Sequence, residues 1–255
     1  MRPGERTTGG REGRGIQAVI LAGGLGTRLR PITETMPKAL VPVCGRPFLE
    51  YQLEYMRNHG VDNVVLCVGH LGRMIEQQFG DGGAFGLRIR YGYEQERLLG
   101  TAGAVKHVEA LLADVFFVVN GDTYPAVDFP HVMESFLSRD RLGLMVVFRN
   151  ENRWDRSNVI TNGSYVRVYS KEQELAGMVY IDFGVSAFRR AALAHIPAGE
   201  PADMSVLYHT LIAQGQLLAY DAPRRFYEIG SPDGLREFED LVLSGAIPTP
   251  SGTRS

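Results

Sequence analysis

Short apolar runs bounded by turn residues recur along the first half of the chain. Residues 16–22 (IQAVILA) form such a run and end in glycines, as expected of a strand buried on both faces. Residues 46–60 read as a helix: Pro47 suits its first turn, Phe48, Leu49, Leu53 and Met56 make an apolar stripe, and Gly60 stops it. Residues 63–68 are the next apolar strand, and a helix follows over about 71–79. Residues 87–93 alternate as a strand, 101–113 are helical with Thr101 available as a cap, and 115–119 form a fourth apolar strand closed by Asn-Gly-Asp.

Buried strands alternating with amphipathic helices specify an α/β protein: a Rossmann-like, mostly parallel central sheet with helices on both faces. Ligands of such sheets sit beyond the carboxyl ends of the strands. The loops at 23–38 and 120–125 are therefore the places where a site is expected. Past residue 140 the pattern changes to strand-like stretches at 142–148, 165–169, 179–188 and 217–220, with helices near 189–195 and 203–214. This reads as a smaller mixed α/β lobe completing the same sheet from its far side. A last helix spans 231–242, capped by Ser231 with Pro232 at its first position. The expected organisation is a disordered tail at 1–15, one domain at 16–243 divided near 140, and a loose tail at 244–255.

Composition narrows the partners. A formal charge of −2 excludes a protein that holds nucleic acid by bulk charge, so any bound anion needs a local arrangement. No apolar run approaches the roughly 18 residues of a spanning helix, and the first fifteen residues lack the apolar core of a secretory signal. The two cysteines, Cys44 and Cys67, fit no zinc pattern and are expected to be buried thiols in a reduced, cytoplasmic setting. The six histidines show no metal-ligand spacing, and no hexapeptide repeat is present.

The strongest chemical signal follows the first strand: Leu21, Ala22, Gly23, Gly24, Leu25, Gly26, Thr27, Arg28, running on to Pro37 and Lys38. Glycines after a buried strand let the backbone approach an anion and aim several N–H groups at it. Arg28 and Lys38 add full positive charge, and an arginine can grip phosphate in bidentate fashion. A dinucleotide fingerprint would need a third glycine where Leu29 stands, and a Walker loop would need Gly-Lys-Ser/Thr. The pattern points to a cradle for a nucleoside triphosphate.

The stretch 23–42 (GGLGTRLRPITETMPKALVP) resembles the signature of the sugar-1-phosphate nucleotidylyltransferases, the nucleotide-sugar pyrophosphorylases. The similarity continues through 99–103 (LGTAG), Asn120-Gly121-Asp122 and the late Tyr227-Glu228-Ile229-Gly230, and spans about residues 16–243. Within that family the wording around 21–51 looks nearest to the guanylyltransferases acting on heptose or mannose 1-phosphates.

The resemblance implies a GT-A-like nucleotidyltransferase fold and an in-line displacement, in which a sugar 1-phosphate attacks the α-phosphorus of an NTP and pyrophosphate leaves. It implies Mg²⁺ as cofactor, an NTP and a sugar 1-phosphate as small-molecule partners, and no nucleic acid or membrane partner; a homo-oligomer is compatible with it. Arg28 would hold the departing phosphates with N–H groups from Gly23 to Thr27, and Lys38 would sit nearer the reacting centre. Asp122 would be a metal ligand. Glu228 stands where the family usually has aspartate as its second ligand, and its extra methylene displaces the carboxylate. Glu94, Gly100 and Thr101 would face the nucleobase. Lys171 would contact the sugar's phosphate, and Asp182, where the family often has asparagine, would accept from sugar hydroxyls. GTP with a manno-configured heptose or hexose phosphate is the expected pair. The alternatives are UTP or dTTP with a glucose-type phosphate, and a non-catalytic paralogue that binds nucleotide sugars.

Overall fold

The computed structural model describes residues 15–94 and 97–250. The tail expected before residue 15 and the last five residues lie outside the described residues. In chain order the strands are β1 (Ile16–Leu21), β2 (Pro42–Val43), β3 (Arg46–Pro47), β4 (Val61–Val68), β5 (Arg88–Tyr93), β6 (Val115–Asn120), β7 (Thr123–Tyr124), β8 (Gly143–Arg149), β9 (Val159–Thr161), β10 (Val166–Tyr169), β11 (Tyr180–Arg189), β12 (Leu217–Asp221) and β13 (Tyr227–Glu228). The helices are α1 (Phe48–Asn58), α2 (Gly72–Phe79), α3 (Gly100–His107), α4 (Phe129–Leu137), α5 (Met204–Ala213) and α6 (Pro232–Leu243).

Nine strands form one sheet. Its spine runs β10-β9-β11-β6-β1-β4-β5, with β8 on β11 and β12 on β8. β6, β1, β4 and β5 are mutually parallel, whereas β11 runs antiparallel to β6 and β8. The strands after residue 140 thus extend the same sheet. From β1 the chain winds outward through β4 and β5, then returns to place β6 on the other side of β1. That reversal opens a crevice beyond the carboxyl ends of β1 and β6, the position where such sheets bind ligands.

The apolar stripes explain the layers. Leu49, Leu53 and Met56 of α1, Ile75 and Phe79 of α2, and Phe129, Val132 and Phe136 of α4 cover one face. Ala102 and Val105 of α3, Ala192 and Leu193 of the 190–195 turn, and Leu207 and Leu211 of α5 cover the other. A third cluster joins Phe48 and Tyr51 of α1 to Phe238 and Val242 of α6.

Several expectations need correction. Pro47 does not enter the first turn of α1; it ends the short β2–β3 hairpin and occupies the N-cap position. α3 closes at His107 and continues only as a 3₁₀ turn over Glu109–Leu111. Cys67 is buried, but Cys44 is exposed, because it forms the tip of the β2–β3 hairpin with a φ of 46°. Residues 244–250 are not loose throughout, since Ile247 is buried against the third cluster and its N–H reaches Leu241 O. Among the described residues no helix is long and apolar enough to cross a membrane.

Candidate active site

β1 ends at Leu21, and its last register partners are Cys67 of β4 and Asn120 of β6. The backbone then turns through the glycines directly above the crevice. Gly26 adopts φ 59°; a Cβ there would fall 2.9 Å from Thr33 Cγ2 and 3.3 Å from Lys38 Cβ. Glycine therefore lets the turn close over the 3₁₀ segment that carries Lys38, and Thr33 Oγ1 secures it by donating to Gly26 O at 2.8 Å.

A cleft of about 330 Å³ lies between these segments. Of the residues expected to bind nucleotide, Leu21, Ala22, Gly23, Gly24, Gly26, Glu94, Gly100 and Thr101 line it, together with Lys38, Asp122 and Lys171. Thr27 does not line it; it is exposed at the start of the 3₁₀ turn Thr27–Leu29. Leu98, Asn120 and Gly121 line it as well.

Lys38 Nζ lies 2.5 Å from Asp122 Oδ2, and both side chains are mostly buried. Asp122 is placed from below. Thr123 pairs antiparallel with Glu228 across β7 and β13, and Ile229 N donates to Asp122 O at 2.9 Å. This ribbon brings together residues more than a hundred positions apart. Burial and the nearby Asp122 charge push the Glu228 carboxyl above its ordinary range, while Arg28 and Lys38 pull it back.

Arg28 does not line this cleft. It lines a second cavity of about 610 Å³ with Glu228. A Cβ at Gly230 would meet Arg28 Nη2 at 2.8 Å and Glu228 Oε1 at 3.0 Å, so both groups converge on that glycine. The four charged residues therefore form one cluster, with Lys38 and Asp122 on the cleft side and Arg28 on the far side of Glu228.

A small recess adjoins the cleft. Leu21, Thr101, Asn120 and Lys171 line both spaces, and the recess adds Tyr169, Asp182 and Tyr208. Asp182 Oδ1 accepts from Gly184 N at 2.9 Å. Desolvation nevertheless pushes its carboxyl up to about 6. Lys171 Nζ stands 3.4 Å from Asp203 Oδ1.

Thr101 does not cap its own helix. The N-cap of α3 is Leu99, which makes no side-chain bond, and the N–H groups of Ala102 and Gly103 go instead to Ala202 O. Thr101 Oγ1 accepts from Met204 N at 2.7 Å and donates to Asp203 Oδ2, so it ties the cleft to the start of α5. Glu94 Oε1 accepts from Leu99 N at 3.1 Å, and its other oxygen faces Gly23 and Gly69. Burial raises the Glu94 carboxyl as well. The sequence does not single out Asp203 or Tyr169; they fall only at the start of the helix near 203–214 and at the end of the strand at 165–169.

A glycine-walled cleft at the switch point of a parallel sheet, lined by Lys38, Lys171 and Asp122, is the arrangement of a nucleotide-binding α/β protein. The chain belongs to the nucleotidyl transferase family, whose model matches residues 17–166. It is 31% identical to the mannose-1-phosphate guanylyltransferase of Mycobacterium tuberculosis over 92% of this chain and 67% of that one. It is 35% identical to the D-glycero-alpha-D-manno-heptose 1-phosphate guanylyltransferase of Aneurinibacillus thermoaerophilus over 65% of this chain and 74% of that one. Among solved structures it resembles HddC from Yersinia pseudotuberculosis, with TM-score 0.74 and 25% identity, covering 88% of this chain and 98% of that one. The chain spans from about half to three quarters of the length of the curated relatives it matches.

Proposed function

We propose that the chain transfers GMP from GTP to a manno-configured heptose or hexose 1-phosphate, releasing pyrophosphate. The observation that carries this reading is the Lys38–Asp122 pair at 2.5 Å in a cleft that the glycine turn and Lys171 also line, with Glu228 and Arg28 in a second cavity and their charges felt together at Glu228. An in-line displacement needs the attacking and leaving oxygens on opposite sides of the α-phosphorus. Lys171 at the recess and Arg28 at the second cavity supply one cation for each side.

The steps follow from that placement. The glycine turn holds the triphosphate with backbone N–H groups, and Lys38 reduces the repulsion between the α-phosphate and the incoming phosphate. The phosphate oxygen of the sugar 1-phosphate forms a bond to the α-phosphorus while the α–β bridge breaks. Arg28 neutralises the departing pyrophosphate, which gains the electron pair. Lys171 orients the acceptor, and Asp182 accepts from its hydroxyls. The Glu94 oxygen left free by Leu99 is suited to guanine, whose Watson–Crick edge presents adjacent N–H donors.

Asp122 and Glu228 fit Mg²⁺. They are two oxygen donors close enough that the Asp122 charge helps to raise the Glu228 carboxyl, and among the described residues no group of three or more potential ligands is present to hold a metal without substrate. Mg²⁺ is commonly held by one or two carboxylates plus substrate phosphates. When bound, it would supply charge neutralisation on the phosphates.

The test is a matrix of GTP, ATP, UTP, dTTP and CTP against mannose, glucose and heptose 1-phosphates with Mg²⁺, read as pyrophosphate. Release with GTP and a manno-configured acceptor is expected. Release with UTP or dTTP and glucose 1-phosphate instead would replace the substrate assignment, and none with any pair would refute the activity.

A further inference from the structure

α1 covers one face of the sheet with Leu49, Leu53 and Met56, yet Gln52 lies among these apolar positions and is fully buried. A buried amide is costly unless its polar atoms are used. Gln52 uses one end only. Its Nε2 donates to Asn120 O at 3.0 Å and to Thr123 O at 2.7 Å, whereas Oε1 is buried and meets no donor among the described residues. The amide cannot be reversed, because that would set Oε1 against two carbonyl oxygens. Nor does helix packing need the amide, since a methionine would fill similar space. The feature that needs it is the turn between the two carbonyls, and Asp122 sits inside that turn.

Two neighbouring contacts show α1 acting as a backing for the site's loops. Tyr51 OH donates to Val43 O in the hairpin strand that follows the Lys38 turn, and Tyr55 OH to Val127 O just after the Asp122 turn, so the helix holds both segments that carry the ion pair. Of these α1 side chains Gln52 is the one that reaches the turn itself, on both shoulders, adding to the hold of Leu21 O on Gly121 N and of β13 on Thr123. Asp122 is otherwise fixed through its own carbonyl by Ile229 N and through its carboxylate by Lys38. The lysine is a partner that substrate phosphate would compete for.

We propose that Gln52 is the positioning residue of the site: by clasping Asn120 O and Thr123 O it sets where the Asp122 carboxylate stands relative to Glu228, and so tunes metal affinity without touching metal or substrate. The inference rests on Asp122 being a metal ligand, and the experiment separates the two claims. Wild type, Asp122→Asn, Gln52→Met and Gln52→Asn are titrated with Mn²⁺ in the presence of α,β-methylene-GTP, with free Mn²⁺ followed by electron paramagnetic resonance. Thermal midpoints and steady-state constants are measured on the same samples.

Asp122→Asn is expected to abolish most Mn²⁺ binding. Gln52→Met is expected to weaken it about tenfold and lower kcat by a similar factor, leaving KM for the sugar 1-phosphate unchanged. Gln52→Asn, whose shorter amide can reach one carbonyl only, should fall between. Intact Mn²⁺ affinity in folded Gln52 variants, with only a lower thermal midpoint, overturns the positioning role while leaving the metal reading in place. Intact affinity in Asp122→Asn overturns both. Should neither Gln52 variant fold, the wild type decides: slow hydrogen exchange at both Gln52 Nε2 protons supports the clasp, and free-amide exchange rates overturn it.

Discussion

Lys38 Nζ and Asp122 Oδ2 are 2.5 Å apart, so the cation and the carboxylate nearest the proposed reacting centre neutralise one another in the protein alone. Both arise from loops that end sheet elements, 84 residues apart in sequence. Both side chains keep an edge in solvent, and asparagine retains an oxygen for Lys38 Nζ, so an aspartate-to-asparagine change removes the charge without removing the contact. Asp122→Asn is expected to lower kcat by about 10²-fold or more, with a thermal midpoint within a few degrees of wild type. Steady-state pyrophosphate release and a thermal scan check this together. Near-wild-type turnover would remove Asp122 from the mechanism.

Arg28 lines the second cavity with Glu228, outside the cleft proposed to hold the nucleoside. Its grip should therefore depend on the β and γ phosphates. Arg28→Ala is expected to raise the dissociation constant of GTP by about tenfold or more, from loss of a charge-assisted contact, while leaving that of GMP unchanged. Calorimetric titration of both nucleotides checks it; equal losses would place Arg28 on the α-phosphate instead.

How far the sequence disclosed this site varies with the range of the contacts involved. Strands β1, β4 and β6 are legible because each is an apolar run that ends in turn residues, and the glycine turn and Asn-Gly-Asp follow directly from two of them. Ser231 is legible for a similar reason: its Oγ accepts from Gly234 N within the same helix turn. Thr101 is the instructive failure. Its letters fit a local cap, yet the hydroxyl is captured by Met204, 103 residues away. The β7–β13 ribbon is two residues wide and gives no periodicity to read. Gln52 did leave a trace: a polar side chain three residues after Leu49 and four before Met56 interrupts an otherwise apolar face.

Asp182 links the recess proposed for the acceptor to pH. Desolvation raises its carboxyl from the ordinary 3.8 to about 6, so the folded protein holds this proton more tightly than the unfolded chain does. Stability from this group is then fully present below about pH 3.8 and is lost as pH rises through about 6. The gap corresponds to about 3 kcal/mol at most. Asp182→Asn, which keeps an oxygen for Gly184 N, is expected to stabilise the fold more at pH 8 than at pH 5, by about 1–2 kcal/mol. Urea midpoints at the two pH values give the difference. The same variant should raise KM for the sugar 1-phosphate and leave that for GTP unchanged.

Gly121 and Gly24 both line the cleft, but for different physical reasons. A Cβ on Gly121 would fall 2.3 Å from Leu21 O and 3.2 Å from Ala22 Cα. Those are backbone atoms at the end of β1, held by the Leu21–Asn120 register and by Gly121 N donating to Leu21 O, so they cannot swing aside. Gly121→Ala must therefore separate the ends of β1 and β6, and with them the glycine turn from Asp122. It is expected to cost about 1–3 kcal/mol of stability, as overpacking does, and to lower kcat at least tenfold. Around Gly24 a Cβ meets nothing within 4 Å. Gly24→Ala should leave the unfolding midpoint unchanged and act only by keeping a triphosphate from the backbone, raising KM for GTP several-fold. Chemical denaturation beside GTP saturation curves separates the pair. Equal destabilisation by both substitutions would show that the glycines merely shape a tight turn, with no anion to approach.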